Sequence, residues 1–291
     1  MSYLSFGSRI LLNYGSNKNC PFCESKATEL TARKHVFLQL RTCRDCGLMF
    51  RWPKQTPGFS EKFYQETYQE VNFTTELPDS ATLRQFMNSN FVGSPKDFSL
   101  QIDVLKAFLP HGRVLDFGCS WGYGVYQLQH TGYDALGFEI SRPRAEHGRN
   151  QLGVEIIDSL DELNRLPSQS LDGVFASHVL EHLVSLKEIF SLFSRILKPG
   201  GVLAIMVPNA GGRHARELGV GWSPLINEKH TLALDGRFFE KNMAPYGFSV
   251  KTFSEPYDPA EIRAAVSQDR RLPADGEELM VIAQRTASIA A

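Results

Sequence analysis

The sequence predicts a doubly wound α/β fold, a mostly parallel sheet of seven strands with a small four-cysteine metal ribbon at its front end. Three observations carry this. From about residue 96 onward, short apolar runs that end in turn residues alternate with amphipathic stretches, the pattern of strand-helix-strand units joined by right-handed crossovers. The first such run leads into a glycine-rich turn, Gly118-Cys-Ser-Trp-Gly122-Tyr-Gly124, where open parallel sheets place a ligand crevice. Two C-x-x-C pairs, Cys20 with Cys23 and Cys43 with Cys46, stand about twenty residues apart near the start, the spacing of a zinc ribbon.

Taken in order, residues 17–57 are rich in polar turns with one strand-like run at 35–40, too little to make a core unaided. Gly47 supplies the permissive backbone that a metal knuckle needs. Phe63, Tyr64 and Tyr68 suggest a short helix within 59–70, followed by a polar link through Pro78 and Asp79. This gives a segment 1–57 with the ribbon, a helical linker 58–95 and a large domain 96–291. Helices are expected at 82–90 and 96–108, and strands at 113–117, 135–140, 153–157, 173–177 and 201–207. Leu183, Leu186, Phe190, Phe193 and Leu197 recur at steps of three and four, a core-facing helix stopped by Lys198-Pro-Gly-Gly. A helix from 235 to about 246 and strands at 248–253 and 279–283 close the sheet. The stretch 256–275 reads as an insertion or lid.

The 291 residues suffice for one large domain plus an appendage. A hydrophobic fraction of 42% and a net charge of -1 give no general attraction to nucleic acid or to an acidic membrane. The apolar start at 3–12 is broken by Gly7 and Arg9 and is not read as a signal peptide, so a cytoplasmic protein without a membrane partner is expected.

At the glycine turn, Asp116 offers an acceptor for an ammonium or hydroxyl, and Glu139 stands at the tip of the next strand, where such folds hold ribose hydroxyls. A tight turn alone would explain the glycines; two carboxylates on adjacent strand ends are harder to explain as packing. The spacing is G-x-x-x-G-x-G rather than the nicotinamide pattern G-x-G-x-x-G. The turn resembles the first motif of class I S-adenosylmethionine-dependent methyltransferases, with Ser120 where a middle glycine is usual and Trp121 placed to crowd or roof the pocket. The resemblance extends through Asp172-Gly-Val-Phe-Ala-Ser-His-Val-Leu-Glu-His-Leu, Leu197-Lys-Pro-Gly-Gly-Val-Leu, Val207-Pro-Asn and Glu228-Lys-His230, a combination similar to the "LEH" branch. Cys46-Gly-Leu-Met-Phe-Arg-Trp-Pro-Lys also resembles the zinc-ribbon start found in that branch, many of whose members act on glycans or secondary metabolites.

The resemblance implies a Rossmann-like methyltransferase domain with S-adenosylmethionine as cofactor and structural zinc on Cys20, Cys23, Cys43 and Cys46. It implies that Gly118, Cys119 and Gly122 line the methionine side and that Glu139 binds ribose hydroxyls. Asp158 with Ser159 would lie by the adenine, Ser177 and His178 would face the methyl end, and Asp116 and Ile140 complete the expected cofactor contacts.

Methyl transfer from a sulfonium is an in-line displacement, so alignment of the acceptor is the main task, and a base helps if the acceptor is a hydroxyl. Candidates are Glu181 and His182, which with His178 fall at i, i+3 and i+4 on one helical face, and His230 in a polar loop with Trp222 and Asn227. His182 reads equally as a packing or capping residue, and Trp222 as a packing lid. Some relatives bind a divalent ion through an E-x-x-E-H segment; here the first position is His178, which disfavours magnesium.

The leading expectation is methylation of a small-molecule or carrier-bound glycan acceptor, on oxygen. An RNA methyltransferase gripping its substrate with the ribbon is the rival, since residues 17–54 hold eight Lys or Arg against three Asp or Glu. Residues 55–82 offset this with five carboxylates beside Lys62. A non-catalytic scaffold is the third reading, against which the donor-site carboxylates argue.

Overall fold

The computed structural model describes residues 15–35, 38–54, 77–227 and 229–286. The expected helix at 59–70 and the apolar start at 3–12 lie outside the described residues, as does Glu228. In the ribbon, β1 (Thr28–Lys34) and β2 (Leu38–Cys43) run antiparallel, and β3 (Met49–Trp52) pairs with β2. The single strand expected at 35–40 is therefore corrected: β1 ends at Lys34, His35 takes the left-handed conformation at φ 54°, and β2 begins at Leu38, with residues 36 and 37 outside the described residues. Polar β1 has mostly outward residues, and for that reason lacked the apolar alternation that marks a strand.

In the large sheet, β4 (Arg113–Phe117), β5 (Asp134–Phe138), β6 (Ile156–Ile157), β7 (Leu171–Ser177) and β8 (Leu197–Pro208) are parallel. A two-residue strand β9 (Leu232–Ala233) leaves this sheet and pairs antiparallel with β3, making the ribbon a four-stranded sheet. Then β10 (Phe248–Ser254) and β11 (Glu278–Arg285) close the large sheet, β11 inserting antiparallel between β10 and β8. The order is β10-β11-β8-β7-β4-β5-β6. It reverses between β4 and β7, and the ligand crevice belongs beyond their carboxyl ends.

Helices cover both faces. Asp79 caps α1 (Ser80–Asn88), accepting from the amides of Ala81 and Thr82, and α2 (Ser99–Lys106) buries Ile102, Val104 and Leu105. After β4 comes α3 (Tyr123–His130), after β5 comes α4 (Arg142–His147), and after β6 comes α5 (Leu160–Arg165). The sequence pattern placed the next helix at 183–197; α6 is shorter, Lys187–Ile196, preceded by a 3-10 turn at Leu180–His182. Leu186 sits at its N-terminal boundary while Phe190, Leu192, Phe193 and Ile196 fill the core, each worth about 1.5–3 kcal/mol of burial. The remaining helices are α7 (Arg213–Leu218), α8 (Gly236–Asn242) and α9 (Pro259–Ser267). The stretch 256–275 thus holds a helix: Asp258 caps α9, and Ile262 and Ala265 are buried. The strand expected at 153–157 shrinks to β6 because a π-type turn, Gly148–Leu152, ends only at Gly153 in the left-handed region. Among the described residues no helix is long and apolar enough to cross a membrane.

Candidate active site and cysteine cluster

Beyond β4 the backbone passes through the left-handed region at Gly118 (φ 79°) and again at Ser120 (φ 52°). Gly118 is required for space as well, since a Cβ there would strike the side chain of Val179. The turn is therefore packed directly on the segment that follows β7. The amides of Gly118 and Cys119 donate to the Phe138 carbonyl at 2.8 and 3.0 Å. Ser120 N–H donates to Glu139 Oε2 at 3.0 Å, Ser141 N–H to Glu139 Oε1 at 2.8 Å, and Arg144 Nη1 to Ser120 Oγ at 2.9 Å. Glu139 is thereby keyed to the turn, and each carboxylate oxygen still has a lone pair for another donor.

Asp116 is 3% exposed and has no hydrogen-bond partner among the described residues. Burial, and then the neighbouring Glu139 charge, push its carboxyl up to about 8. A buried, partnerless carboxyl beside a second carboxylate fits a ligand that brings a positive charge or a donor, as the ammonium of S-adenosylmethionine does.

Other expected contacts fall variously around this turn. Cys119 is buried, with its sulfur where a Cβ on Gly137 would be, so it faces the sheet. Gly122 precedes α3 as its N-cap, and Ile140 packs half-buried on the core edge. Asp158 takes a 2.8 Å hydrogen bond from Arg149, and Ser159 opens α5 without capping it by its side chain. Trp121 does not roof the pocket: it is fully buried against Phe91, Tyr123 and His147. Trp222 likewise packs, with Leu38, Leu40 and Ile226.

Past β7, which ends at Ser177, the expected helical face is replaced by a strained His178 (φ 53°) and the 3-10 turn. His178 Nε2 lies 2.6 Å from Glu278 Oε2, and its Nδ1 lies 3.3 Å from Glu181 Oε1. Burial opposes charge on His178, but its contacts with Glu181 and then Glu278 raise it to about 10. With both nitrogens committed to carboxylates, His178 has no lone pair for a substrate proton.

His182 and His230 differ. His182 Nδ1 donates to the Lys229 carbonyl at 3.2 Å and His230 Nδ1 to the Pro224 carbonyl at 2.7 Å, so each Nδ1 carries a hydrogen. Neither Nε2 has a hydrogen-bond partner among the described residues, His182 Nε2 lying 3.8 Å from Glu181 Oε1. The rings meet edge to face at 4.8 Å. Burial, then the charge of His182, lowers His230 to about 4. Glu181 is 1% exposed, its Oε1 lying 3.3 Å from His178 Nδ1 and 3.8 Å from His182 Nε2; burial opposes its charge, but His182 and His178 bring it down to about 2. One donor atom each from Glu181, His182 and His230 lies within 4.8 Å of the others.

Sequence reasoning missed Glu278 and Tyr257, whose hydroxyl donates to Glu278 Oε1 at 2.8 Å. Glu278 is 100 residues from His178 and reaches it only because β11 inserts beside β8. Tyr257 also lines a cavity of about 450 Å³ with Gln101, Arg213, His214 and Glu255. A Glu at the start of an apolar strand gave no local signal.

In the ribbon, Cys20 and Cys46 sulfurs are 3.5 Å apart, as are those of Cys23 and Cys43, and all four lie within 4.8 Å. A tetrahedral ion with Zn–S bonds of about 2.3 Å sets sulfurs roughly 3.8 Å apart, so the four residues fit zinc.

A family model described as a methyltransferase domain matches residues 96–252. The chain belongs to the methyltransferase domain family. It thus carries the domain of a class I S-adenosylmethionine-dependent methyltransferase. An S-adenosyl-L-methionine-dependent Diels-Alderase of Talaromyces variabilis is 33% identical over 34% of the chain and 37% of that protein. A malonyl-[acyl-carrier protein] O-methyltransferase of Serratia marcescens is 24% identical over 46% of the chain and 55% of that protein. The chain thus spans about half or less of the length of the curated relatives it matches. A solved S-adenosylmethionine-dependent methyltransferase from Archaeoglobus fulgidus superposes with TM-score 0.49 at 19% identity, covering 71% of this chain and all of that one.

Proposed function

We propose that this methyltransferase moves the methyl group of S-adenosylmethionine to a hydroxyl oxygen of a small-molecule or carrier-bound glycan acceptor. The observation that carries the reading is the pair of imidazoles, His182 and His230, anchored through Nδ1 beside buried Glu181, on a segment whose Val179 packs on the glycine turn. The bound cofactor supplies a sulfonium methyl open to in-line attack. Asp116 and Glu139 hold its ammonium and ribose ends, with Gly118, Cys119 and Gly122 lining the methionine side. Asp158, Ser159 and Ile140 flank the adenine, and Ser177 with His178 border the methyl end. The Nε2 of His230 or His182 takes the hydroxyl proton, and Glu181 balances the imidazolium that forms. His178, held charged between Glu181 and Glu278, orients the turn instead of accepting a proton.

Cys20, Cys23, Cys43 and Cys46 are proposed to hold a structural zinc, in keeping with the "LEH" branch that the sequence resembles, and the division at 1–57, 58–95 and 96–291 is proposed with it. That relatives include an enzyme named as an O-methyltransferase on a carrier-bound substrate supports the acceptor class. A second reading makes Glu181, His182 and His230 ligands of an ion; this mixed nitrogen and oxygen set suits zinc, iron or manganese better than magnesium. The test is transfer of labelled methyl to a panel of hydroxyl-bearing and amine-bearing sugars and phenols, alongside metal analysis. Label on hydroxyl acceptors with one zinc per chain supports the proposal; label on amines alone, or two metals per chain, overturns its acceptor or its base.

A further inference from the structure

The loop from Trp222 to Thr231 supplies both carbonyls that set the histidine tautomers, Pro224 for His230 and Lys229 for His182. That loop is held from the ribbon side. Arg51 of β3 donates from Nη1 to the Asn227 carbonyl at 3.0 Å, and its amide donates to the Thr231 carbonyl at 2.8 Å. Lys34 of β1 donates from Nζ to the Ile226 carbonyl at 2.7 Å. Leu38 and Leu40 of β2 pack on Trp222, Leu225 and Ile226, and β3 pairs with β9 immediately after the loop. On its other side the loop is tied to the catalytic turn, since Thr231 N–H donates to the Glu181 carbonyl at 2.8 Å and its Oγ1 to the Leu183 carbonyl at 2.9 Å. Within the loop, Asn227 Oδ1 accepts from the amides of Lys229 and His230.

We infer that the cysteine ribbon is a positioning element of the active site, with Arg51 and Lys34 as the positioning residues that fix, through loop 222–231, the Nδ1-protonated tautomer of His182 and His230. The physical reason is a continuous chain of constraints. The cysteines close one knuckle before β1 and one between β2 and β3; those three strands present Lys34, two leucines and Arg51 to one loop; the loop carbonyls select which imidazole nitrogen keeps its hydrogen. A histidine without such a carbonyl is free to protonate at either nitrogen, and half the pair's proton-accepting capacity would face the wrong way. The catalytic meaning rests on the reading of His182 and His230 as the proton-handling pair, whereas the tautomer control does not.

The test is the long-range ¹H–¹⁵N correlation spectrum of the histidine imidazoles in the full chain, assigned with His182→Gln and His230→Gln. Wild-type protein is expected to show both rings in the Nδ1–H form. Arg51→Gln, Lys34→Gln and removal of metal by a chelator are each expected to move both rings toward a mixture with the Nε2–H form. Arg51→Lys should recover part of the wild-type pattern, and Arg44→Ala, which breaks only the exposed pair with Glu29, should leave it unchanged. Affinity for S-adenosylhomocysteine, measured in the same samples, should stay within about twofold because neither Arg51 nor Lys34 belongs to that site. If Arg51→Gln fails to fold and loses S-adenosylhomocysteine binding, Lys34→Gln decides. Unchanged tautomers in folded Arg51→Gln and Lys34→Gln, or in Lys34→Gln alone where it decides, overturn the inference. Ribbon-dependent tautomers in an enzyme whose His230→Gln variant transfers methyl at the wild-type rate would keep the positioning role and overturn only the catalytic assignment.

Discussion

The glycine turn and the histidine cluster are neighbours in space, but they are built in opposite ways. The turn draws Asp116, Gly118, Ser120 and Glu139 from two adjacent parallel strands, and its hydrogen bonds connect residues close in sequence. The cluster gathers Glu181, His182, His230 and Glu278 from three separated segments, and a ribbon at the far end of the chain braces one of them. The first arrangement suits a cofactor whose handling is shared by many enzymes; the second can be retuned by moving a loop. It follows that damage to one region should leave the other measurable.

The largest expected effect breaks the cluster alone. His230→Gln should slow single-turnover methyl transfer by about 10²–10⁴-fold, the usual worth of a positioned base, with S-adenosylhomocysteine affinity unchanged by calorimetry. Equal losses in both quantities would erase the distinction. Next, Glu139→Ala should weaken S-adenosylhomocysteine binding by tenfold or more, since charge-assisted hydrogen bonds are each worth about 1.5–3 kcal/mol.

These two variants also mark the limit of what the sequence disclosed. Asp116, Gly118 and Glu139 could be read directly because a strand end, a tight turn and a carboxylate at the next strand end are all local patterns. His182 and His230 were nameable as candidates, but their difference from His178 was not. That difference depends on which nitrogens meet carbonyls of Pro224 and Lys229 and which meet Glu181 and Glu278. Strand β1 was hidden because it is polar, and α9 because its Asp258 cap and buried Ile262 sit in a stretch of weak periodicity.

A smaller effect concerns acid stability. His230 is neutral in the fold, with its pKa lowered to about 4 from an ordinary 6.5. The unfolded chain therefore binds the proton first, so this contribution to stability is complete above pH 6.5 and is lost as pH falls toward 4. Thermal melts of wild type and His230→Gln should accordingly converge over that window and not above it. His178 has the opposite sign: raised to about 10, it stabilises fully below pH 6.5 and loses that contribution as pH rises through 10. The smallest expected change is Ser120→Gly. Relief of a left-handed serine, about 1–2 kcal/mol, nearly cancels the lost hydrogen bond to Arg144, about 1.5–3 kcal/mol. Melting temperature should barely move, and a large shift in either direction would show that one of the two effects is misjudged.

The most direct test of the account is calorimetric titration of S-adenosylhomocysteine into wild-type, Glu139→Ala and His230→Gln protein. Binding by wild type and His230→Gln, with loss in Glu139→Ala, is the expected result. No binding to folded, metal-replete wild type, or equal loss in both variants, would contradict the claim that a local donor turn and a separately braced histidine cluster divide the work.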